Sequence, residues 1–592
     1  MPRTTRLTIA GLAGTGLATL LLASCAQKSH PPQNTSIDAM PIIVTGQRVE
    51  QRQAGDIMLR ADAAPAYAPP APPPPPPSIG FARAPLPATV TAAPAIAGGM
   101  IAREALPRPP YQDQGRDRFD APPENPFKLV REEPVSTFSL DVDTASYAFV
   151  RSSLMRNVLP QPAAVRTEEM INYFRYDYAP PPNREQPFGS AISVFPSPFT
   201  AGRKLVRIGI RGYDLPRATR PRANLVFLID TSGSMRAPNK LQLVKQSLSM
   251  LLDQLDARDR LAIVTYAGNA GVALAPTPAS DKARIRAVLD NLEAGGSTAG
   301  AEGLRQAYAL AEQSFDSAGV NRVILATDGD FNVGVTSQNE LKGYIERERG
   351  KGVFLSVLGF GMGNYNDALM QTLAQNGNGT ASYIDTLGEA RKVLVDEASG
   401  TLFPIAKDVK IQVEFNPATV AEYRLIGYET RMLNRDDFDN DKVDAGDVGA
   451  GQTVTALYEI VPAGGPRAIP DLRYGHKAAI VAPGNGSGEY GFVKIRYKLP
   501  KSDVSRLISA PIDQRAEARS FDAAPADARF ATSVAGFAEL LKGGRYSGTM
   551  TYDDVLRIAN GARGDDPFGY RAEFVQMVRT AKSAPALATL ER

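Results

Sequence analysis

The chain has 592 residues, 43% hydrophobic and 22% charged, which supplies apolar material for several cores, and this length predicts three or four globular units rather than one. Its 66 Lys and Arg against 63 Asp and Glu leave a net charge of +3, which excludes a protein built to neutralise a phosphate backbone, so no nucleic-acid partner is expected. Two histidines, His30 and His476, and one cysteine, Cys25, exclude an intramolecular disulfide and a Cys/His zinc site, and neither imidazole is placed to serve a hydrolase as base.

In chain order, a basic start (Arg3, Arg6) leads into an apolar stretch from Leu7 to Leu22, the layout of a secretory signal and too short for a comfortable membrane span. Leu22-Ala23-Ser24-Cys25 resembles the bacterial lipobox. That resemblance implies removal of residues 1–24, a lipid on Cys25, and, with Ala26 where an inner-membrane retention Asp would stand, the outer membrane facing the periplasm or cell surface. Residues 25–130 are rich in Pro and Ala, with an unbroken run from Pro72 to Pro77. Such a composition buries too little apolar surface to fold and predicts a disordered tether reaching on the order of 100 Å.

Order is expected near Pro134, in a helical and β segment over 131–221. Ser139 to Tyr147 alternates and then turns helical through Arg156, with Asp143 or Thr144 as cap. A second helix is read from Arg166 to Phe174, and strands from 186 to 212. Between Asn224 and about Gly400 strands and helices alternate, which predicts a doubly wound α/β domain over 222–402. Leu225-Val-Phe-Leu-Ile229 is continuous apolar sequence, as a central parallel strand requires, and helices are read at Lys240 to Leu255, Asp281 to Leu292 and Gly300 to Gln313. Alternating strands return over 403–500 and, with those before Asn224, predict a β-sandwich into which the α/β domain is inserted. Residues 501–592 read as a small helical domain.

Ligands of an open α/β sheet sit beyond the carboxyl ends of its strands at the topological switch point. There the first strand ends in Asp230-Thr-Ser-Gly-Ser234, which resembles the metal-ion-dependent adhesion site of von Willebrand factor A (VWA) domains. Gly295-Gly-Ser-Thr298 opens a later helix, and Thr327-Asp328-Gly-Asp330 ends a later strand. The resemblance implies Asp230, Ser232, Ser234, Thr298 and Asp328 as ligands of a divalent cation. Mg2+ is the expected ion, with Mn2+ or Ca2+ as alternatives, because hydroxyls and carboxylates are hard oxygen donors. In such domains a partner's Asp or Glu fills the cation's open position, so the expected partner is a protein with an exposed acidic residue. Water activation would need a general base, for which only Asp330 offers itself, so no enzyme is expected.

Three other motifs carry less. Gly359-Phe-Gly-Met-Gly363 misplaces the third glycine of a dinucleotide fingerprint and reads as a loop carrying Asn364. The acidic run from Asp436 to Asp447 alternates carboxylates like a calcium loop, but Lys442 and Val448 occupy the positions of the EF-hand Gly and Glu, so a solvated hairpin is the default. Asp141 and Asp143 could pair as ligands, although capping is the plainer role.

Segments Ser139 to Tyr147, Glu168 to Phe174, Asp441 to Gly446 and Asp565 to Phe574 resemble a bacterial VWA lipoprotein family with a characteristic N-terminal segment and a C-terminal domain of unknown function, over about 130 to 585. The expectation is a lipid-anchored envelope binding protein; the alternative is an assembly scaffold of envelope machinery in which the metal site is secondary.

Overall fold

The computed structural model describes residues 117–120, 122–141, 143–297, 300–329, 331, 338–361, 363, 365–470 and 488–584. The signal segment, Cys25, most of the Pro-rich segment, His476, Thr298, Asp330 and Asn364 lie outside them.

The apolar run at Leu225 becomes the strand Ala223–Asp230, all eight residues of which are buried. It lies inside a six-stranded sheet in the order Ala381–Ile384, Val353–Phe360, Val320–Thr327, Ala223–Asp230, Arg260–Tyr266, Ala270–Pro278. The first five strands are parallel and the last runs antiparallel to its neighbour. Alternate residues of the central strand feed opposite cores. Leu225, Phe227 and Ile229 pack with Val244, Leu248 and Leu251 of the helix Leu243–Gln254, whereas Val226 and Leu228 pack with Leu304, Ala307 and Tyr308 of the helix Gly300–Gln313. Both faces are therefore covered, which is why the strand reads as uninterrupted apolar sequence. The chain leaves Ala223–Asp230 first to one side and then to the other, so the switch point falls at Asp230.

The remaining strands form two antiparallel sheets. One orders Lys128–Leu129, Val420–Ile426, Thr453–Pro462, Lys204–Gly212 and Phe188–Pro196; the other orders Met432–Leu433, Val135–Ser139, Pro404–Phe415, Glu489–Lys498 and Ser505–Asp513, with Gly446–Gly449 paired to Pro404–Phe415. Their inner faces share one core, in which Ile208, Tyr423 and Tyr458 meet Phe138, Ile411 and Val413. The α/β domain is inserted in this sandwich, since strands from both sides of it in sequence build both sheets. The helices Ala526–Leu541, Tyr552–Gly561 and Tyr570–Ser583 close a further core with Ala145–Met155 and Thr167–Asn172, where Phe174 meets Phe530 edge-on at 4.9 Å.

Buried ion pairs tie these parts together. Arg151, on the helix Ala145–Met155, donates to Glu389 at 2.8 Å and to Asp385 in the α/β domain, and to Glu573 at 2.9 Å and the Tyr173 hydroxyl at 3.0 Å.

Several expectations are corrected. Structure begins before Pro134: Arg118 bridges to Asn366, Phe119 packs on Phe149 at 4.4 Å, and Lys128–Leu129 joins a sheet, so residues 117–120 and 122–130 belong to the folded part and not to a tether. Neither Thr144 nor Asp143 caps the following helix through its side chain. Asp143 instead accepts from the Ala381 amide and from Arg431, both at 2.8 Å, and Asp141 pairs with the same guanidinium at 2.8 Å. Burial outweighs capping here because a buried carboxylate needs a cationic partner more than a helix end needs one acceptor. The span 501–592 is not wholly helical, since Ser505–Asp513 is a strand of the sandwich. The acidic run is dispersed among ion pairs: Asp439 and Asp441 face Arg496 at 3.1 Å each, and Asp444 pairs with Arg349.

Candidate functional site

The loop after Ala223–Asp230 folds back on its own carboxylate. Asp230 is fully buried. Its Oδ1 accepts from the Ser232 amide at 2.9 Å, and its Oδ2 accepts from the Tyr266 hydroxyl at 3.1 Å and the Thr327 hydroxyl at 3.2 Å. Tyr266 and Thr327 end the two flanking parallel strands, so the carboxylate is held from both sides of the switch point. Next to it the Ser232 and Ser234 hydroxyls lie 3.0 Å apart. One hydrogen bond between them uses one proton and leaves lone pairs on both oxygens for a further partner.

The third loop is stitched alongside. Gly295 donates its amide to the Thr231 carbonyl at 2.8 Å, and Gly233 donates to the Gly296 carbonyl at 3.0 Å. Gly296 adopts φ +86°, and a Cβ on it would come within 3.1 Å of the Gly268 amide nitrogen, so any other residue here would be strained. Thr298, two residues on, is outside the described residues.

Asp328 follows Thr327 at the end of the neighbouring strand and is 1% exposed. Its Oδ2 accepts from Lys240 Nζ at 2.8 Å. The sequence placed Lys240 at the start of a helix. The regular helix begins instead at Leu243, and Lys240 has φ −118° and ψ −107°, outside the helical range. Lys240, Tyr266 and Thr327 are thus partners that reasoning from the motif alone did not assign. Thr327 stands inside the quoted Thr327-Asp328 motif and was within reach; Tyr266 and Lys240 had no local signal.

Burial pushes the Asp230 carboxyl up to about 6, with nearby Asp328 adding to the effect and the Ser232 and Tyr266 donors opposing it. Two buried carboxylates beside two serine hydroxyls are a hard-oxygen set, and a divalent cation would relieve the repulsion between them. Among the described residues no group of three or more His, Cys, Asp or Glu could hold a metal, so a cation here would depend on the hydroxyls. The donors present fit such an ion. At the end of the glycine-containing run, the Gly363 and Tyr365 amides donate to Asp117 Oδ1 at 2.9 and 2.8 Å.

Comparison with known proteins defines the class. The von Willebrand factor type A domain family matches residues 224–396, a von Willebrand factor family matches 113–207, and the family "Uncharacterized protein YfbK, C-terminal" matches 400–584. The "Uncharacterized protein YfbK" of Escherichia coli K12 is 43% identical over 473 residues, covering 79% of this chain and 81% of that protein. The chain belongs to the YfbK family. Human inter-alpha-trypsin inhibitor heavy chain H4 is 27% identical over 36% of this chain and 24% of its own length. Among solved structures, a von Willebrand factor type A protein from Catenulispora acidiphila aligns over 69% of this chain and 91% of its own, at 15% identity and a TM-score of 0.37.

Proposed function

We propose that the protein is a lipid-anchored cell-envelope binding protein that uses its VWA loops to hold a divalent cation, Mg2+ in the first instance, and through it an acidic group of a protein partner. The observation that carries this reading is the pair of serine hydroxyls 3.0 Å apart beside two buried carboxylates at the switch point of the sheet. Few formal charges in the donor set leave the cation able to attract an outside carboxylate. The ligands are Asp230, Ser232, Ser234, Thr298 and Asp328. The anchor is the lipid on Cys25, at the outer membrane. No helix among the described residues is long and apolar enough to cross a membrane, and the proposed attachment needs none.

Two arms test this. Cys25→Ser should move the protein from the membrane fraction to the soluble fraction, and continued membrane attachment would refute the anchor. Cross-linking from the rim around Ser234 should capture an envelope protein in a manner abolished by chelator and by Ser232→Ala. Capture that survives both contradicts the cation-mediated grip and supports a scaffold role, in which the buried Arg151 cross-link joining the VWA domain to the C-terminal helices is the functional feature.

A further inference from the structure

Lys240 is 7% exposed and its ammonium ends on Asp328 Oδ2 at 2.8 Å. Its stem is held as firmly as its head. A Cβ on Gly361 would meet Lys240 Cε at 2.5 Å, Cγ at 2.6 Å and Cδ at 3.0 Å, so the stem lies directly against a residue that has no side chain. Gly361 adopts φ +73°, and its carbonyl is fixed by the Tyr383 hydroxyl at 2.9 Å. The non-helical backbone at Lys240 turns the residue out of the helix that follows. A buried lysine placed by three separate elements is costly to maintain unless its charge is used.

We propose that Lys240 is a tethered counter-cation of the adhesion site, which weakens the site's hold on a metal ion and leaves the loaded site with the positive charge that recruits an acidic partner. This rests on the cation-mediated reading above and assigns the control of its affinity to one residue. With Asp230 and Asp328 ionised and Lys240 protonated, the site carries a single net negative charge, and a divalent cation turns that into a single positive one. Without the ammonium the loaded site is neutral and draws a carboxylate only through the cation's open coordination position, with less long-range attraction. The same residue also keeps Asp328 in place before any cation arrives.

The test is calorimetric titration of Mn2+ into the full chain and its variants, with acetate as the probe of the outside position. Lys240→Met removes the charge and keeps the stem; it should bind Mn2+ at least about tenfold more tightly than wild type, while Lys240→Arg stays near wild type. Acetate should raise Mn2+ affinity in wild type, and by reciprocity that gain should shrink in Lys240→Met. Should Lys240→Met fail to fold, Lys240→Gln, which retains a donor for Asp328, carries the same expectation. Wild-type binding with unchanged or weaker binding in the neutral variant overturns the role of Lys240 and leaves the metal site standing. Absence of saturable Mn2+ binding in every form, wild type included, sinks the metal reading and this inference with it.

Discussion

The Tyr266 hydroxyl donates to Asp230 Oδ2 at 3.1 Å from the end of the adjacent strand, in a fully buried position backed by Phe331, whose ring meets Tyr266 edge-on at 5.7 Å. Burial holds this phenol well above its ordinary pKa, so it remains a donor throughout the physiological range. Because an outer partner of this kind fixes the orientation of a metal-binding carboxylate, Tyr266→Phe should weaken Mn2+ binding by about tenfold while costing about 1 kcal/mol of stability. Titration and thermal melting of the variant check the two effects separately. Unchanged affinity would show that Thr327 and the Ser232 amide orient the carboxylate without it.

Gly361 offers a test that removes no polar group from the site. Any side chain there must adopt φ +73° and displace the Lys240 stem. Gly361→Ala should lower the melting temperature and, by dislodging the ammonium from Asp328, move Mn2+ affinity in the direction of Lys240→Met. A melting temperature equal to wild type would mean that the stem repacks freely.

Arg151 joins carboxylates from two parts of the molecule, Asp385 and Glu389 with Glu573. Removing the cation from a buried cluster leaves unpaired charge behind, which costs about 3 to 5 kcal/mol. Arg151→Met should therefore lower the urea midpoint strongly and separate unfolding of the VWA domain from that of the C-terminal helices. Fluorescence and circular dichroism would then report different midpoints, whereas coincident curves close to those of wild type would contradict a bridging role.

Stability of the metal-free protein should fall as pH rises. Burial, with Asp444 nearby, pushes Asp447 up to about 8, and its Oδ1 is buried without a hydrogen-bond partner. A carboxyl whose folded pKa is raised holds its proton better folded than unfolded. Its stabilising effect is complete below the ordinary value of 3.8 and is lost as pH climbs through 8. Asp230, at about 6, acts with the same sign over a lower window. Melting temperatures between pH 4 and 9 should decline, and Asp447→Asn should flatten the upper part of that decline; an identical slope in the variant would remove Asp447 from the account.

How much of this was legible in the sequence depends on distance along the chain. Asp230, Ser232 and Ser234 sit within five residues, and their loop closes on itself through the Ser232 amide, so spacing alone exposes it. The central strand was equally plain because both its faces are buried. Ala270–Pro278 escaped notice: as an edge strand of mostly small residues and prolines, with seven of nine positions partly or fully exposed, it shows neither a continuous nor an alternating apolar pattern. Lys240 looked like a helix start because its neighbours carry helical periodicity, and its partner Asp328, 88 residues away, cannot be seen locally. Asp141 and Asp143 looked like caps because Arg431, 288 residues from Asp143, cannot be seen locally.

The central claim is that these loops hold a divalent cation. Mn2+ titrated calorimetrically into the full chain should show one saturable site that disappears in Asp230→Ala while the fold is retained. No saturable binding in the wild type, or binding indifferent to Asp230→Ala, would contradict it.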